Sequence, residues 1–122
     1  ATPLARNVLD YIHTNYDKDI TVEALCEMYH TNHTTLLKDF RVLTGMTVGQ
    51  YILQYKLGLA REALLFTSLS IEEIAVTFGF KQAAYFSRMF RRAEGMPPGQ
   101  FRAQKVRQRK AAKGGFLEEQ WL

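Results

Sequence analysis

Residues 70–102, SIEEIAVTFGFKQAAYFSRMFRRAEGMPPGQFR, decide the fold, because two short helices and the sharp turn between them can be recognised in this one stretch. The first helix begins at Ser70, where a Glu three residues later completes a capping box for the first backbone N–H groups. Apolar residues then recur at helical spacing up to Gly79, which can adopt the left-handed conformation that ends a helix. A second helix follows from near Gln82 to Gly95, so the stretch predicts a helix-turn-helix.

The second helix of this stretch has an apolar face and a basic face. Phe86, Phe90 and Ala93 recur at helical spacing and are predicted to face the core. The opposite stripe is rich in positive charge and is predicted to face solvent, with Arg92 at its edge. This outward stripe consists of Ala84, Ser87, Arg88 and Arg91.

Residues 79–102 form the string GF-x-x-x-x-YFSR-x-FRR-x-x-G-x-x-P-x-x-FR. The string resembles the signature of the DNA-binding domain of the AraC/XylS family of bacterial transcription regulators. It combines glycine, aromatic, basic and proline positions over a long stretch, and the resemblance is therefore specific. The resemblance implies sequence-specific binding of double-stranded DNA by a transcription regulator, with activation as the expected sign of regulation.

Length and charge limit what the chain can be. With 122 residues and 47% apolar content, we expect one domain with a modest core. No run of about 18 apolar residues and no export leader occurs, which favours a cytoplasmic protein without membrane contact. Residues 81–113 contain ten Lys or Arg against one Glu, whereas residues 1–35 contain two basic against five acidic residues. This asymmetry indicates a polyanion partner, with a solvated basic tail as the alternative.

A first helix is predicted at the start of the chain. Thr2 is placed to be its N-cap and Pro3 its first residue, where the missing N–H costs nothing. We expect this helix to be scaffolding, ended by a loop from Asn15 to Asp19. Its predicted buried residues are Val8, Leu9, Ile12 and Tyr16.

A further helix-turn-helix is predicted over residues 21–45. Thr21 caps a helix that ends near Tyr29, and Asn32 caps a second helix that is closed by Gly45. In this second helix Leu36, Phe40 and Leu43 are predicted to face inward, and Thr34, Leu37, Lys38 and Arg41 outward.

The two units form an internal repeat. Thr21-Val22-Glu23 corresponds to Ser70-Ile71-Glu72, 49 positions later, and Phe40-Arg41 corresponds to Phe90-Arg91, 50 positions later. The change in offset predicts one extra residue in the second turn.

Between the units, residues 47–66 begin with a capping box at Thr47 and Gln50 and read as one long connecting helix. Twenty helical residues span about 30 Å, and adjacent major-groove sites on one face of DNA lie ~34 Å apart, so we expect two reading helices in successive major grooves. The predicted fold is therefore all-α, with about seven helices. Its expected parts are a first unit (1–46), the connecting helix (47–66), a second unit (67–102) and a basic tail (103–122).

The tail AQKVRQRKAAKGG after Arg102 leaves two alternatives open. It continues a helix, or it is disordered and follows phosphates, and Gly114-Gly115 favours disorder. A rival function also rests on this tail: a helical protein-interaction module that contacts a transcription partner such as RNA polymerase.

The resemblance implies which residues carry the function. Arg88 can offer its guanidinium fork to guanine, Lys38 can approach the same acceptors, and Leu37 suits a thymine methyl. Base reading is assigned to Thr34, Leu37 and Lys38 in the first reading helix and to Ala83, Ala84, Ser87 and Arg88 in the second. Contact with the DNA backbone is assigned to His33, Arg41, Arg91, Arg92 and Arg102 and to the helix starts at Thr21, Thr47 and Ser70.

Some of these assignments have a structural alternative. Arg102 can pair within the protein, and Arg41 can be simply solvated. The family also implies an effector-sensing domain, which we expect outside this chain.

Nothing in the sequence favours an enzyme. His13, His30 and His33 with the single Cys26 show no zinc-ligand spacing, and no phosphate loop or nucleophile motif occurs. We expect no metal, no cofactor and no catalysis, with each histidine at the surface or in a turn. Cys26 is predicted to be a small core residue.

Overall fold

Seven α-helices account for the fold of the residues that the structure describes. The computed structural model describes residues 3–121, with side chains described for residues 3–112, so the predicted N-cap Thr2 lies outside the described residues. No strand occurs in this part of the chain, and none of its helices is long and apolar enough to cross a membrane. The prediction of an all-α fold with about seven helices is confirmed. The helices are α1 (Pro3–Asn15), α2 (Val22–Met28), α3 (His33–Thr44), α4 (Val48–Phe66), α5 (Ile71–Thr77), α6 (Ala83–Glu94) and α7 (Pro98–Trp121).

The chain divides into two compact units, unit 1 (Ala1–Gly58) and unit 2 (Leu59–Leu122). The division falls inside α4, which is one helix of 19 residues. The connecting helix is therefore present as expected, but each unit takes part of it. Its first turn is closed by the predicted capping box, because Gln50 N donates to Thr47 Oγ1 and Thr47 N donates to Gln50 Oε1, both at 3.1 Å.

Unit 1 is built around an apolar core to which α1, α2, α3 and the start of α4 all contribute. The fully buried ring of Phe40 packs edge-on against Tyr51, with centroids 5.7 Å apart. The Tyr51 hydroxyl in turn lies 2.6 Å from His13 Nε2, and His13 is partly buried, whereas it was expected at the surface or in a turn. Burial, followed by the neighbouring Tyr55, raises the pKa of Tyr51. The buried core residues are Val8, Ile12, Leu25, Cys26, Leu36, Phe40 and Val48.

Unit 2 has a core dominated by phenylalanine. Ring centroids lie 4.9 Å apart between Phe80 and Phe86, 5.8 Å between Phe86 and Phe90, and 5.3 Å between Phe90 and Phe101. Tilted and edge-on aromatic pairs of this kind stabilise a core beyond the area that they bury. Ala93, which was expected to face this core, is exposed instead.

The inward line of α6 continues from Phe90 to Glu94, not to Ala93. Glu94 is partly buried, and its Oε1 accepts a hydrogen bond from Arg61 Nη1 at 3.1 Å. The charged Glu94 thus occupies the inward position that the apolar pattern assigned to Ala93.

The same hydrogen bonds form the turn in both units. Thr31 N donates to Cys26 O at 2.9 Å in unit 1, and Phe80 N donates to Ala75 O at 2.8 Å in unit 2. These donors and acceptors are each 49 positions apart, so the repeat recognised in the sequence is a repeat of backbone geometry.

The turn also needs one residue with a left-handed backbone. That residue is Gly79 in unit 2, with φ 81°, and His30 in unit 1, with φ 51°. Glycine adopts this conformation without strain, and histidine is among the side chains enriched there. The next N-cap is Asn32 in unit 1 and Gln82 in unit 2, which are 50 positions apart, so the predicted extra residue is Lys81.

The basic segment after Arg102 is helical, which differs from the disorder that we expected. It continues α7, which spans Pro98–Trp121. Arg109 fixes this segment locally, since its Nη2 donates to Leu65 O at 3.1 Å and its guanidinium lies 5.5 Å from the Phe66 ring centroid. The sequence around it consists largely of Ala, Gln, Lys and Arg, which are strong helix formers.

Candidate nucleic-acid interface

The outward face of α3 is the first candidate surface. Leu36 and Phe40 are buried on one side of the helix and fix which side meets solvent. The four residues that were predicted to face outward are all exposed, including Leu37 with 39% of its surface accessible. These residues, Thr34, Leu37, Lys38 and Arg41, therefore share one solvent-facing side.

The outward face of α6 is the corresponding surface in unit 2. Phe86 and Phe90 are fully buried and orient the helix in the same way. Arginine is the main residue type among its exposed positions. Ala83 and Ser87, which were assigned to base reading, are half-buried at the edge of the core, so fewer neutral residues are exposed than expected. The exposed members are Ala84, Arg88, Arg91 and Arg92.

Arg88 has an aromatic neighbour that the sequence argument missed. Its guanidinium carbon lies 5.6 Å from the centroid of the Tyr85 ring, and 41% of the Tyr85 surface is exposed. A cation over an aromatic face is attracted by the ring, which limits the orientations that the guanidinium adopts. The i, i+3 spacing of Tyr and Arg on one helix was the signal that could have revealed this pair.

The helix starts assigned to phosphate contact differ in their chemistry. At Ser70 the capping box is complete, since Ser70 N donates to Glu73 Oε1 at 2.9 Å and Glu73 N donates to Ser70 Oγ at 3.0 Å. Hydrogen bonds from the Ser70 backbone and side chain lower the pKa of Glu73, so this carboxylate stays charged. With Glu72 beside it, the first turn of α5 carries two negative charges and repels a phosphate.

The start of α4 at Thr47 is better suited to a phosphate. Its capping box uses the neutral Gln50, and no acidic residue lies in its first turn. A Cβ built on Gly49 would meet no atom within 4 Å, so a ligand can approach this backbone. At the start of α2, Thr21 Oγ1 accepts from Ala24 N at 3.1 Å, but an acidic residue also lies in that first turn.

His33, at the start of α3, faces a carboxylate. Its Nε2 lies 3.7 Å from Glu23 Oε1, and both side chains are largely exposed. A phosphate that approaches His33 therefore also meets the negative charge of Glu23.

Arg102 is occupied within the protein, which was the structural alternative to its assignment as a phosphate contact. Its Nε donates to Leu64 O at 3.1 Å and its Nη2 donates to Thr67 O at 3.3 Å. Carbonyls at a helix C-terminus have no partner in their own helix, and a cation is favoured there. Arg102 thus caps the end of α4.

Arg102→Ala is expected to lower the free energy of unfolding by about 1 kcal/mol, because it removes hydrogen bonds to two carbonyls. It should leave the salt dependence of DNA binding unchanged, since its guanidinium is engaged within the protein. Urea unfolding and binding isotherms at several salt concentrations measure the two effects. Arg91→Ala is the matched control, with unchanged stability and a logarithmic salt slope shallower by about one. If Arg102→Ala gave a shallower salt slope without loss of stability, Arg102 would instead be assigned to the phosphate contacts.

A family model described as a helix-turn-helix domain matches residues 25–104. The match contains both turns and both outward faces, and it ends within α7.

Two curated relatives are transcription activators by name. The HTH-type transcriptional activator RhaR of Enterobacter sp. (strain 638) is 38% identical over 96 residues, which cover 79% of this chain and 33% of that protein. The bifunctional transcriptional activator/DNA repair enzyme AdaA of Bacillus subtilis (strain 168) is 30% identical over 95 residues, which cover 78% and 45%. The chain therefore spans between a third and a half of the length of these relatives.

A solved structure with the same fold contains DNA. The DNA-binding domain of AdpA, a global transcriptional factor crystallised in complex with a target DNA, superposes with a TM-score of 0.79 at 26% identity. The similarity covers 90% of this chain and 98% of that domain.

Proposed function

We propose, from the premise that this chain belongs to the AraC-type family of helix-turn-helix DNA-binding domains, that it binds a specific double-stranded DNA site with both α3 and α6. The observation that carries the proposal is the repeated outward face. Two 12-residue helices follow the same turn, and each presents a basic residue at equivalent positions, Lys38 with Arg88 and Arg41 with Arg91. A ligand with a repeated negative surface matches two such faces, and an α-helix fits the major groove of B-DNA.

Base reading is proposed for the centre of each face. Arg88 is suited to the O6 and N7 acceptors of guanine, because its planar fork makes two hydrogen bonds and Tyr85 limits its orientation. Lys38 is suited to the same acceptors with less geometric control. Leu37 offers an exposed apolar side chain to a thymine methyl. Thr34 and Ala84 complete the two faces, and the half-buried Ala83 and Ser87 border on the reading surface of α6.

Phosphate contacts are proposed for the exposed arginines beside these centres and for the start of α4. Arg41, Arg91 and Arg92 are exposed and carry permanent charge. Thr47 begins a long helix without acidic residues in its first turn, and backbone N–H groups at such a start favour anions. His33 and Thr21 remain weaker candidates because Glu23 lies near both, and Ser70 and Arg102 are engaged within unit 2.

The regulatory role is proposed by similarity to the named activators. Since the chain spans a third of RhaR, we propose that effector sensing and any contact with RNA polymerase belong to a longer protein in the bacterial cytoplasm. For this chain the proposal is binding without catalysis. The DNA repair activity in the name of AdaA is a property of that protein.

Selection of bound duplexes from a random pool tests the proposal. We expect enrichment of one sequence, and the selected duplex should survive excess random competitor in a gel shift. The matched control is the double variant Lys38→Ala, Arg88→Ala, whose substitutions are exposed and should leave folding unchanged. This variant should lose the enrichment. A wild-type chain that enriches no sequence, or binds no duplex, would contradict the proposal and favour a protein-interaction module.

A further inference from the structure

Residues 105–112 of α7 lie outside the family match, and all of their charged side chains are basic. The family model ends at residue 104, whereas α7 continues to Trp121. Residues 105–112, KVRQRKAA, contain four cationic side chains and no acidic one. The family resemblance does not account for this charge.

Two of the cations in α7 hold the helix in place. Arg109 Nη2 donates to Leu65 O at 3.1 Å, and its guanidinium lies over the ring of Phe66. Lys105 Nζ lies 5.6 Å from the ring centroid of the buried Phe101. Together with Arg102 on the carbonyls of Leu64 and Thr67, these contacts define one packed side of α7.

The other two cations point away from that packed side. A helix advances 100° per residue, which places Arg107 nearly opposite the side that carries Phe101, Lys105 and Arg109. Lys110 lies on the same outward side, three residues further. Both side chains are exposed, and the anchored helix presents them at a fixed spacing.

The composition of this outward side selects the kind of partner. Its remaining residues in the described part are Ala103, Ala111 and, at its margin beside Lys110, the exposed Val106, and one valine does not form a broad apolar face. Protein interfaces depend on buried aromatic, apolar or Arg anchors in pockets, and helices that bind membrane surfaces need a broad apolar face. Two cations beside two alanines and a single valine suit a phosphate backbone, because binding to phosphates depends on charge and requires no apolar contact.

We propose that Arg107 and Lys110 bind phosphates of the DNA that flanks the site contacted by α3 and α6. This inference rests on the proposed function and adds to it a contact face outside the family domain. It predicts binding that depends on charge and not on flanking sequence.

The test compares the double variant R107Q/K110Q with wild type on two duplexes. One carries the selected site with about one helical turn of DNA, ~10 base pairs, on each side, and the other is trimmed to the selected site. On the flanked duplex we expect about tenfold weaker binding near 0.1 M salt and a logarithmic salt slope shallower by about two. On the trimmed duplex the variant and wild type should bind alike. Base preference in a repeated selection should also be unchanged.

The matched control is R6Q/K18Q, which removes the same two charges from exposed positions in unit 1. It should bind both duplexes as wild type does, and all proteins should share one thermal midpoint. An equal loss in both double variants would reduce the effect to net charge and overturn the inference. A wild-type salt slope for R107Q/K110Q on the flanked duplex would also overturn the inference. In that case sequence-specific binding by the wild-type chain would still support the proposed function. A wild-type chain that binds no duplex would instead overturn both.

Discussion

Phe90→Ala is expected to lower the free energy of unfolding of unit 2 by about 3–5 kcal/mol, because truncation of a buried Phe leaves a cavity as well as losing buried area. The Phe90 side chain is fully buried, and its ring packs edge-on against both Phe86 and Phe101. These rings belong to α6 and α7, so the substitution weakens the packing between these two helices. Small domains are stable by about 5–15 kcal/mol in total, and a loss of this size leaves much of unit 2 unfolded in mild denaturant. Urea unfolding followed by circular dichroism measures the change.

Phe66→Ala is the matched control, because it makes the same substitution at a side chain with 75% of its surface exposed. Its expected cost is below about 1 kcal/mol, mostly from the lost contact with Arg109. Phe40→Ala should repeat the large effect in unit 1, since Phe40 occupies the equivalent buried position. If Phe90→Ala were no more costly than Phe66→Ala, the inward face assigned to α6 would be incorrect.

Most of the fold could be predicted because its signals are local. The capping box at Ser70 and the left-handed Gly79 and Gly95 depend on residues within a few positions, and the structure has each of them. The internal repeat predicted one extra residue in the second turn, because it too rests on short local segments of sequence. A search for glycine does not find every left-handed residue, since His30 adopts a left-handed backbone although it is not a glycine.

The features that the sequence did not reveal depend on contacts between residues far apart in the chain. Arg102 reaches carbonyls 35 and 38 positions earlier, and Glu94 pairs with Arg61, 33 positions earlier. Helical periodicity gives the direction of a side chain but not the partner that it meets. The same contacts explain why α7 is helical where composition suggested disorder, because Arg109 binds the end of α4.

For the candidate site, the sequence predicted which face of each helix is exposed but not where that face ends. Arg88 and Arg91 lie five and eight positions after the start of α6, opposite buried phenylalanines, and are exposed as expected. Ser87 belongs to the same predicted stripe but is half-buried, because it lies on the margin between the two faces. The width of the buried face depends on how closely neighbouring helices pack, which spacing alone does not determine.

Arg88→Ala and Arg92→Ala are expected to separate base reading from phosphate contact. Arg88 lies near the middle of the exposed face beside Tyr85, whereas Arg92 lies one turn further along, in the last turn of α6, and base contacts come mainly from the N-terminal part of a reading helix. If Arg88 contacts guanine, its loss should cost ~1–3 kcal/mol on the selected duplex and flatten the preference at one base pair. If Arg92 contacts a phosphate, its loss should weaken selected and random duplexes alike and make the logarithmic salt slope shallower by about one.

Binding isotherms at several salt concentrations, for both variants on both duplexes, measure these two signatures independently. Arg88→Lys is the informative control, because it keeps the positive charge but removes the planar fork that makes two hydrogen bonds to guanine. It should therefore keep the wild-type salt slope and still lose preference at the same base pair. Both substituted side chains are exposed, so neither effect can arise from a destabilised core. Equal losses on every sequence for Arg88→Ala, or a relaxed base preference for Arg92→Ala, would mean that a different side of α6 faces the bases.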